Sequence, residues 1–332
     1  MTNKFFLSVC LVALTLCSCG SKTTAQNESN VEEAQLPTVY VTREISPQSI
    51  IRIYEALGRK AEGRVAVKIS TGEKGNPNYL KPELIGYFVK YVNGKIVECN
   101  TAYGGERGTV EAHRAVIEEH GFNTIGGVDL MDEEGEFNIP CRDTTNITHD
   151  IVGTHLKNYD FLVNLAHFKG HPMGGLGGVL KNQSIGVASA NGKAYIHTAG
   201  YQDVVEGMWE HVDNQDGFLE SMAAAAQAVS DYFGDGQRVI YISVLNNMTV
   251  DCDCVATPEP VMMADYGIMA SLDPVALDKA CVDVVFNMEA SEGNDPSHLQ
   301  ERINSRHGIH TIEWAEKIGM GSTKYNLVNI DK

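Results

Sequence analysis

Two short apolar runs, "DFLVNLA" at 160–166 and "RVIYISVL" at 238–245, constrain the fold more than any other feature of the chain. Each has the length of a strand and almost no polar alternation, as expected of strands covered by helices on both faces. Shorter strand candidates stand around them: "PTVYVT" (37–42), "RVAVKIS" (64–70) and "GKIVECN" (94–100). Helical segments come between. "PQSIIRIYEALG" (47–58) places Ile50, Ile53 and Leu57 at helical spacing, with Gly58 as a stop. "KPELIGYFVKYV" (81–92) carries Pro82 in its first turn, and "TVEAHRAVIEEHG" (109–121) ends at a glycine. "GFLESMAAAAQAVSDYFG" (217–234) is a clear helix, and "DPVALDKACVDVVFNM" (273–288) opens with Asp273 as N-cap and Pro274 at its first position. Strand–helix alternation over this length predicts an α/β fold with a mainly parallel sheet flanked by helices, Rossmann-like, and open to division into two lobes around a cleft. Residues 37–332 form one such domain in this reading. In such sheets ligands collect where strands end and helices begin.

The first 36 residues stand outside the pattern. Lys4 precedes an apolar run, Phe5 to Leu16, too short to span a bilayer as a helix and suited to a signal-peptide core. Leu16-Cys17-Ser18-Cys19-Gly20 resembles a bacterial lipobox, with Cys19 as the residue to be lipidated. This predicts a lipoprotein-type signal peptide at 1–19 and a polar tether at 20–36. The expected location is the bacterial cell envelope, in the periplasm or at the outer membrane, with the membrane touched only through the N-terminal lipid. A formal net charge of −17 argues against nucleic acid or anionic lipid as a partner and says nothing specific about a substrate; the expected partner is a small-molecule ligand. The cysteines after Cys19 (Cys99, Cys141, Cys252, Cys254 and Cys281) are odd in number and irregular in spacing, a poor disulfide framework. A chain of this length also needs no staples. Cys252 and Cys254 therefore read as functional.

"HFKGHPMGGLGGVLKN" (167–182) follows the apolar strand 160–166, where a ligand loop is expected. Gly174, Gly175, Gly177 and Gly178 could present N–H groups to an anion at a helix start, with Lys169, Lys181 and Asn182 beside them. Tight packing of a helix against the sheet explains the glycines equally well. The segment is no Walker loop, because Leu180 and Asn182 occupy positions that need Gly and Ser or Thr. His171 before the glycines, with Lys181 and then His197 after them, suits metal ligation or proton transfer near neutral pH. Lys68 closes another strand and could meet a carboxylate or phosphate, whereas Glu73 and Lys74 read as solvated turn residues. "DCDC" (251–254) follows the strand 238–245. Its two thiols suit a soft metal or a redox pair. If extended, they face one way, and Asp251 and Asp253 the other.

Three segments together carry a family resemblance: "TAYGGERGTVEAHRAVIEEHGF" (101–122), "HFKGHPMGGLGGVLKNQSIGVASANGKAYIH" (167–197) and "DCDCVATPEPVMMADYGIMASLDPVALDKACVDVV" (251–285). Over roughly residues 39–320 the chain resembles the bacterial and archaeal family catalogued as domain of unknown function 362. Many members of that family carry a ferredoxin-like insert with two [4Fe–4S] clusters before the Cys-Asp-Cys segment. Here residues 198–237 contain no cysteine, so that cluster-binding insert does not carry over. The segment from His171 to His197 is also similar to the lactate racemase family, which holds a nickel-pincer nucleotide. That likeness implies Lys181 as covalent cofactor anchor, His197 as metal ligand and His171 as acid/base catalyst, with proton or hydride exchange at a hydroxyl-bearing carbon. The chain departs from that family at Tyr103-Gly104-Gly105-Glu106-Arg107, where a second catalytic histidine is expected. Glu106 could replace it as a base if burial raised its pKa.

The expected site thus joins His171, Glu106 and Lys181 as catalytic groups. Lys68, Arg107, Lys169, Gly174, Gly175, Gly177, Gly178, Lys181 and Asn182 would bind a cofactor or substrate. His197, Cys252 and Cys254 would hold a divalent transition metal: nickel, zinc or iron. The expected function is that of a metal-dependent isomerase or oxidoreductase acting on a small polar or anionic metabolite. The alternatives are a non-catalytic ligand-binding lipoprotein of the envelope and an iron–sulfur redox protein with a [4Fe–4S] cluster.

Overall fold

In a computed structural model, which describes residues 36–331, the strand and helix segments gather on one twisted sheet. The expectations of a signal peptide, a lipidated Cys19 and a tether up to Gln35 fall outside the described residues.

Twelve strands occur among the described residues: β1 (Thr38–Thr42), β2 (Val65–Lys68), β3 (Gly94–Glu98), β4 (Val128–Leu130), β5 (Glu136–Pro140), β6 (His149–Gly153), β7 (Phe161–His167), β8 (Lys169–His171), β9 (Gly175–Gly177), β10 (Val239–Leu245), β11 (Gly267–Ser271) and β12 (Asn326–Asn329). The helices are α1 (Pro47–Ala56), α2 (Pro82–Tyr91), α3 (Val110–Glu119), α4 (Val179–Val187), α5 (Ala190–His197), α6 (Gln215–Tyr232), α7 (Pro274–Asn287), α8 (Ser297–Ser305) and α9 (His310–Lys317). The main sheet has eight strands in the order β12-β1-β11-β10-β7-β2-β3-β4. Only β11 runs against the others, pairing antiparallel with both β1 and β10. The fold is α/β with a mainly parallel sheet, as the alternation predicts.

Both apolar runs are central. Every residue of β7 and of β10 is buried, because helices cover each face. On one face Ile50 and Ile53 of α1 and Ile85 and Phe88 of α2 pack with Val67, Val163, Leu165 and Ile242. On the other, Leu180 of α4, Leu219 of α6 and Leu277 of α7 belong to a cluster with Val97, Leu162, Ala166 and Tyr241. Each aliphatic side chain withdrawn from water in this way stabilises the fold by roughly 2 kcal/mol. A polar residue in such a strand must be fully bonded. Asn164 of β7 is: it donates to the Val179 carbonyl at 2.8 Å and accepts from Asn182 Nδ2 at 2.7 Å. These bonds fix the start of α4 over the sheet.

Strand order places the site. From β2 the chain moves outward through β3 to β4, then returns to β7 on the opposite side of β2 and continues to β10. A crevice opens outside the carboxyl ends of strands where the order reverses in this way. Among the described residues, that crevice lies at the end of a single sheet rather than between two lobes.

Candidate active site

The carboxyl ends of β2, β3 and β7 deliver Lys68, Glu98 and His167 to one cavity of about 260 Å³. The β8–β9 hairpin, α4, α5, the segment 208–209 and the Cys-Asp-Cys segment complete its wall.

Two carboxylates anchor the polar side of the cavity. Glu98 accepts from Arg107 Nη1 at 3.0 Å and from the hydroxyl and backbone N–H of Thr71, with His113 Nε2 at 3.2 Å. Burial opposes its ionisation, yet Arg107, His113 and Lys68 outweigh that and hold it well below the usual carboxylate range. Arg107 also donates to the Tyr103 hydroxyl at 2.8 Å, and Tyr103 donates to Glu73 Oε2 at 3.0 Å. Asp253 is the second anchor. It accepts from Lys169 Nζ at 2.7 Å and lies 2.8 Å from His167 Nδ1, while His167 Nε2 donates to the Asn246 carbonyl at 2.6 Å. Here too burial is outweighed, by Lys169 and His167, and the carboxyl is held far below its ordinary range. The Glu73 N–H donates to the Asp253 carbonyl at 2.6 Å, so the loop after β2 is tied to the cysteine segment.

The two histidines of the sequence reading are both buried and held neutral, but they present different faces. His171 Nδ1 accepts from the N–H groups of Gly174 (2.8 Å) and Met173 (3.2 Å). Its proton therefore sits on Nε2. Burial, then Lys181 and His197, keep its pKa well below the ordinary value. His197 is the reverse: Nδ1 donates to the Lys193 carbonyl at 2.7 Å, which leaves Nε2 with a free lone pair. Its ring stacks on Phe218 with centroids 4.7 Å apart, and burial lowers its pKa to about 4.

Lys181 also lines the cavity, where burial and then Lys169 and Lys68 pull its pKa down to about 7. Lys68 falls to about 8, mainly through burial.

Cys252 and Cys254 are joined as a disulfide, with Cα atoms 5.1 Å apart. One ligand atom from each of them and one from His171 lie within 4.8 Å of one another. His197 is outside that group. The expected metal set of His197, Cys252 and Cys254 thus differs from the observed cluster at its histidine. The segment 246–254 is not a strand, so Asp253 turns toward the cavity with the sulfurs, while Asp251 faces Arg302 at 3.4 Å. Of the other cysteines, Cys99 lines the cavity and donates to the Val187 carbonyl, while Cys141 and Cys281 belong to the core cluster on the α4, α6 and α7 face of the sheet. Among the described residues no four thiols gather for a [4Fe–4S] cluster.

The profile of the family described as "Domain of unknown function (DUF362)" matches residues 65–283. The chain belongs to that family. The matched span contains every residue lining the cavity, from Lys68 to Cys254. No curated protein matches this DUF362 chain. Solved structures do. One is a Thermotoga maritima protein from a structural genomics programme, 12% identical, with a TM-score of 0.40 over 71% of this chain and 57% of that one. Another is the lactate racemase apoprotein from Thermoanaerobacterium thermosaccharolyticum, 17% identical, with a TM-score of 0.34 over 63% of this chain and 51% of that one. The DUF362 chain thus spans little more than half the length of either.

In this DUF362 protein Lys68, Arg107, Lys169, His171, Gly177, Gly178, Lys181, Asn182, His197, Cys252 and Cys254 come together at the cavity. Glu106 does not. It is exposed, and only its backbone N–H turns inward, donating to Glu73 Oε1 at 2.9 Å. Glu73, expected to be solvated, is the buried member of that pair at 3% exposure, while Lys74 is exposed. The glycines have another task than the anion site expected of them. The first N–H groups of α4, from Val179 and Leu180, already donate to the buried Asp278 carboxyl at 2.8 and 2.9 Å. Gly178 has no room for a Cβ against that carboxyl. Gly175 takes φ +75°, and a Cβ there would stand 2.8 Å from Gly308 Cα. These two positions pack a hairpin and a helix start closely. Sequence reasoning missed Glu98, Asp253 and Lys193. Lys193 carried a usable signal, since it lies four residues before His197 and so on the same face of a helix.

Proposed function

We propose that the cavity is the active site of a metal-dependent enzyme, of isomerase or oxidoreductase class, acting on a small polar or anionic metabolite. One observation carries this reading: His171, Cys252 and Cys254 cluster as soft-metal donors in the same cavity where His197 offers a bare imidazole nitrogen.

The donor set fits zinc, nickel or iron by type and closeness. Two conditions follow from the bonding. The sulfurs must be reduced, because paired sulfurs cannot ligate as thiolates. His171 must free one nitrogen, which requires the N–H groups of Met173 and Gly174 to leave Nδ1; Nδ1 would then ligate directly, or take the ring proton and leave Nε2 open. A bound metal would act as a Lewis acid that polarises a substrate oxygen. The chain itself does the rest. His197 accepts a proton at Nε2 while the Lys193 carbonyl keeps its tautomer fixed. Lys181, partly unprotonated near neutral pH, is suited to hold a substrate carboxylate when charged and a cofactor covalently when neutral. The Glu98–Arg107–Tyr103–Glu73 chain keeps the floor rigid.

Elemental analysis and intact mass of full-length protein, prepared anaerobically, test the proposal. Stoichiometric metal that is lost in Cys252→Ser and in His171→Ala is the expected result. Metal-free protein with unmodified mass, in which both variants behave as wild type, overturns it.

A further inference from the structure

The cavity holds more positive charge than the chain neutralises. Lys68, Lys181 and Lys193 all line it, with Lys68 1% and Lys193 6% exposed. Its carboxylates are already engaged, Glu98 with Arg107 and His113, Asp253 with Lys169 and His167. Among the described residues, none of the three lysines has a carboxylate at ion-pair distance. Lys68 Nζ finds only neutral acceptors, the Ile69 carbonyl and Asn182 Oδ1, and Lys193 Nζ only the Ala188 carbonyl. Lys181 Nζ makes no hydrogen bond among the described residues.

An ammonium withdrawn from water without a counter-charge is unfavourable, and like charges around one low-dielectric cavity repel one another. The fold nonetheless makes space for them. At Gly186 a Cβ would come within 2.7 Å of Lys68 Cε, so glycine there lets the lysine stem pass. Burial lowers Lys68 although Glu98 opposes the fall, and burial with repulsion from Lys169 and Lys68 lowers Lys181.

We infer that Lys68, Lys181 and Lys193 form a cradle for an oxyanion of two or more negative charges, a phosphate-type or dicarboxylate group on the molecule this cavity binds. A dianion neutralises the surplus, whereas a monoanion leaves most of it. The lining also includes the apolar Ala102, Met173 and Met208 and the half-exposed Trp209, so the cavity can take apolar parts of the bound molecule besides its charged group. This names the substrate class of the site proposed above and rests on that reading only in sharing its cavity, because the cradle needs neither metal nor turnover.

Titration calorimetry of the full chain at pH 7.0, where malonate is a dianion and inorganic phosphate a near-even mixture of mono- and dianion, tests it with phosphate, malonate and acetate, with Trp209 fluorescence in parallel. Phosphate or malonate binding at least about tenfold tighter than acetate, and weakened by salt, is expected; which of the two dominates tells phosphate chemistry from dicarboxylate. Lys181→Met and Lys193→Met should each lose about tenfold for the dianion. Without any anion, Lys181→Met should melt no lower than wild type, since it removes an unbalanced charge. Equal affinity for acetate, undiminished dianion binding in both variants, or a Lys181→Met protein destabilised without anion overturns the cradle. The double variant Cys252→Ser/Cys254→Ser separates the two proposals: it should keep dianion binding while losing metal. Loss of dianion binding in that variant alone assigns the anion to the metal and overturns the cradle while the metal reading stands.

Discussion

At the scale of single residues, the same burial has opposite consequences for acids and bases. The cavity lysines lose charge as pH rises, Lys181 through about 7 and Lys68 through about 8. Malonate affinity should therefore fall by about tenfold or more between pH 6.5 and pH 9, measured by calorimetry, because the protonated lysines are the binding form. Asp150 of β6 shows the acid side. It is fully buried, neither carboxyl oxygen has a partner, and burial pushes its pKa up to about 7 from an ordinary 3.8. The folded state thus keeps a proton that the unfolded state releases, so stability from this group is greatest below about pH 4 and declines until about pH 7. Asp150→Asn should melt a few degrees higher than wild type at pH 8, with the difference shrinking toward pH 5 in a thermal melt series. Neither behaviour was legible in sequence. Asp150 sits in "HDIVG", where nothing separates a solvated acid from a buried one, and Asp253 would face away from the thiols only if the strand ran on, whereas residues 246–254 are not a strand.

At the scale of elements, the informative case is α4. Its glycine-rich start suits an anion, and its first two N–H groups are taken instead by the carboxyl of Asp278, from α7. Burial raises Asp278 to about 7, with the two N–H bonds opposing that rise. Asp278→Ala leaves both donors buried and unbonded, and should cost about 3 kcal/mol in denaturant unfolding. It should also loosen the lysine cradle, since Lys181 and Asn182 sit on the helix that Asp278 holds. Periodicity recovered the long helices and the central strands because their apolar spacing is strong. The three-residue strands β8 and β9 were missed, since glycine pairs in a hairpin without showing alternation. The reversed direction of β11 was readable in principle. No helix intervenes between Leu245 and Gly267, and a parallel return needs a crossover that this stretch does not supply.

At the scale of the whole molecule, charge separates by depth. The chain carries a formal charge of −17, yet its cavity has a cationic surplus, so net charge does not describe the ligand. We propose that residues 1–19 direct export and that Cys19 receives the lipid, as the lipobox spacing suggests. Metabolic labelling with a palmitate analogue should mark wild type and not Cys19→Ala, and equal labelling of both would refute this. One feature of the sheet bears on how the protein is made. β12 lies beside β1, with Asn326 N–H bonded to the Pro37 carbonyl, Ile330 N–H to Val41, and the Asp331 carboxyl receiving the Thr42 hydroxyl and the Arg43 N–H. During synthesis β1 emerges among the first strands but must wait for residue 331 before its free border is sealed. Every nascent chain therefore passes through an interval in which the partly buried β1, rather than the exposed β12 that ends the finished sheet, is the border that other chains can pair with. Ribosome stalling or proteolysis ahead of residue 326 would prolong that interval and favour aggregates over a merely shortened, soluble product.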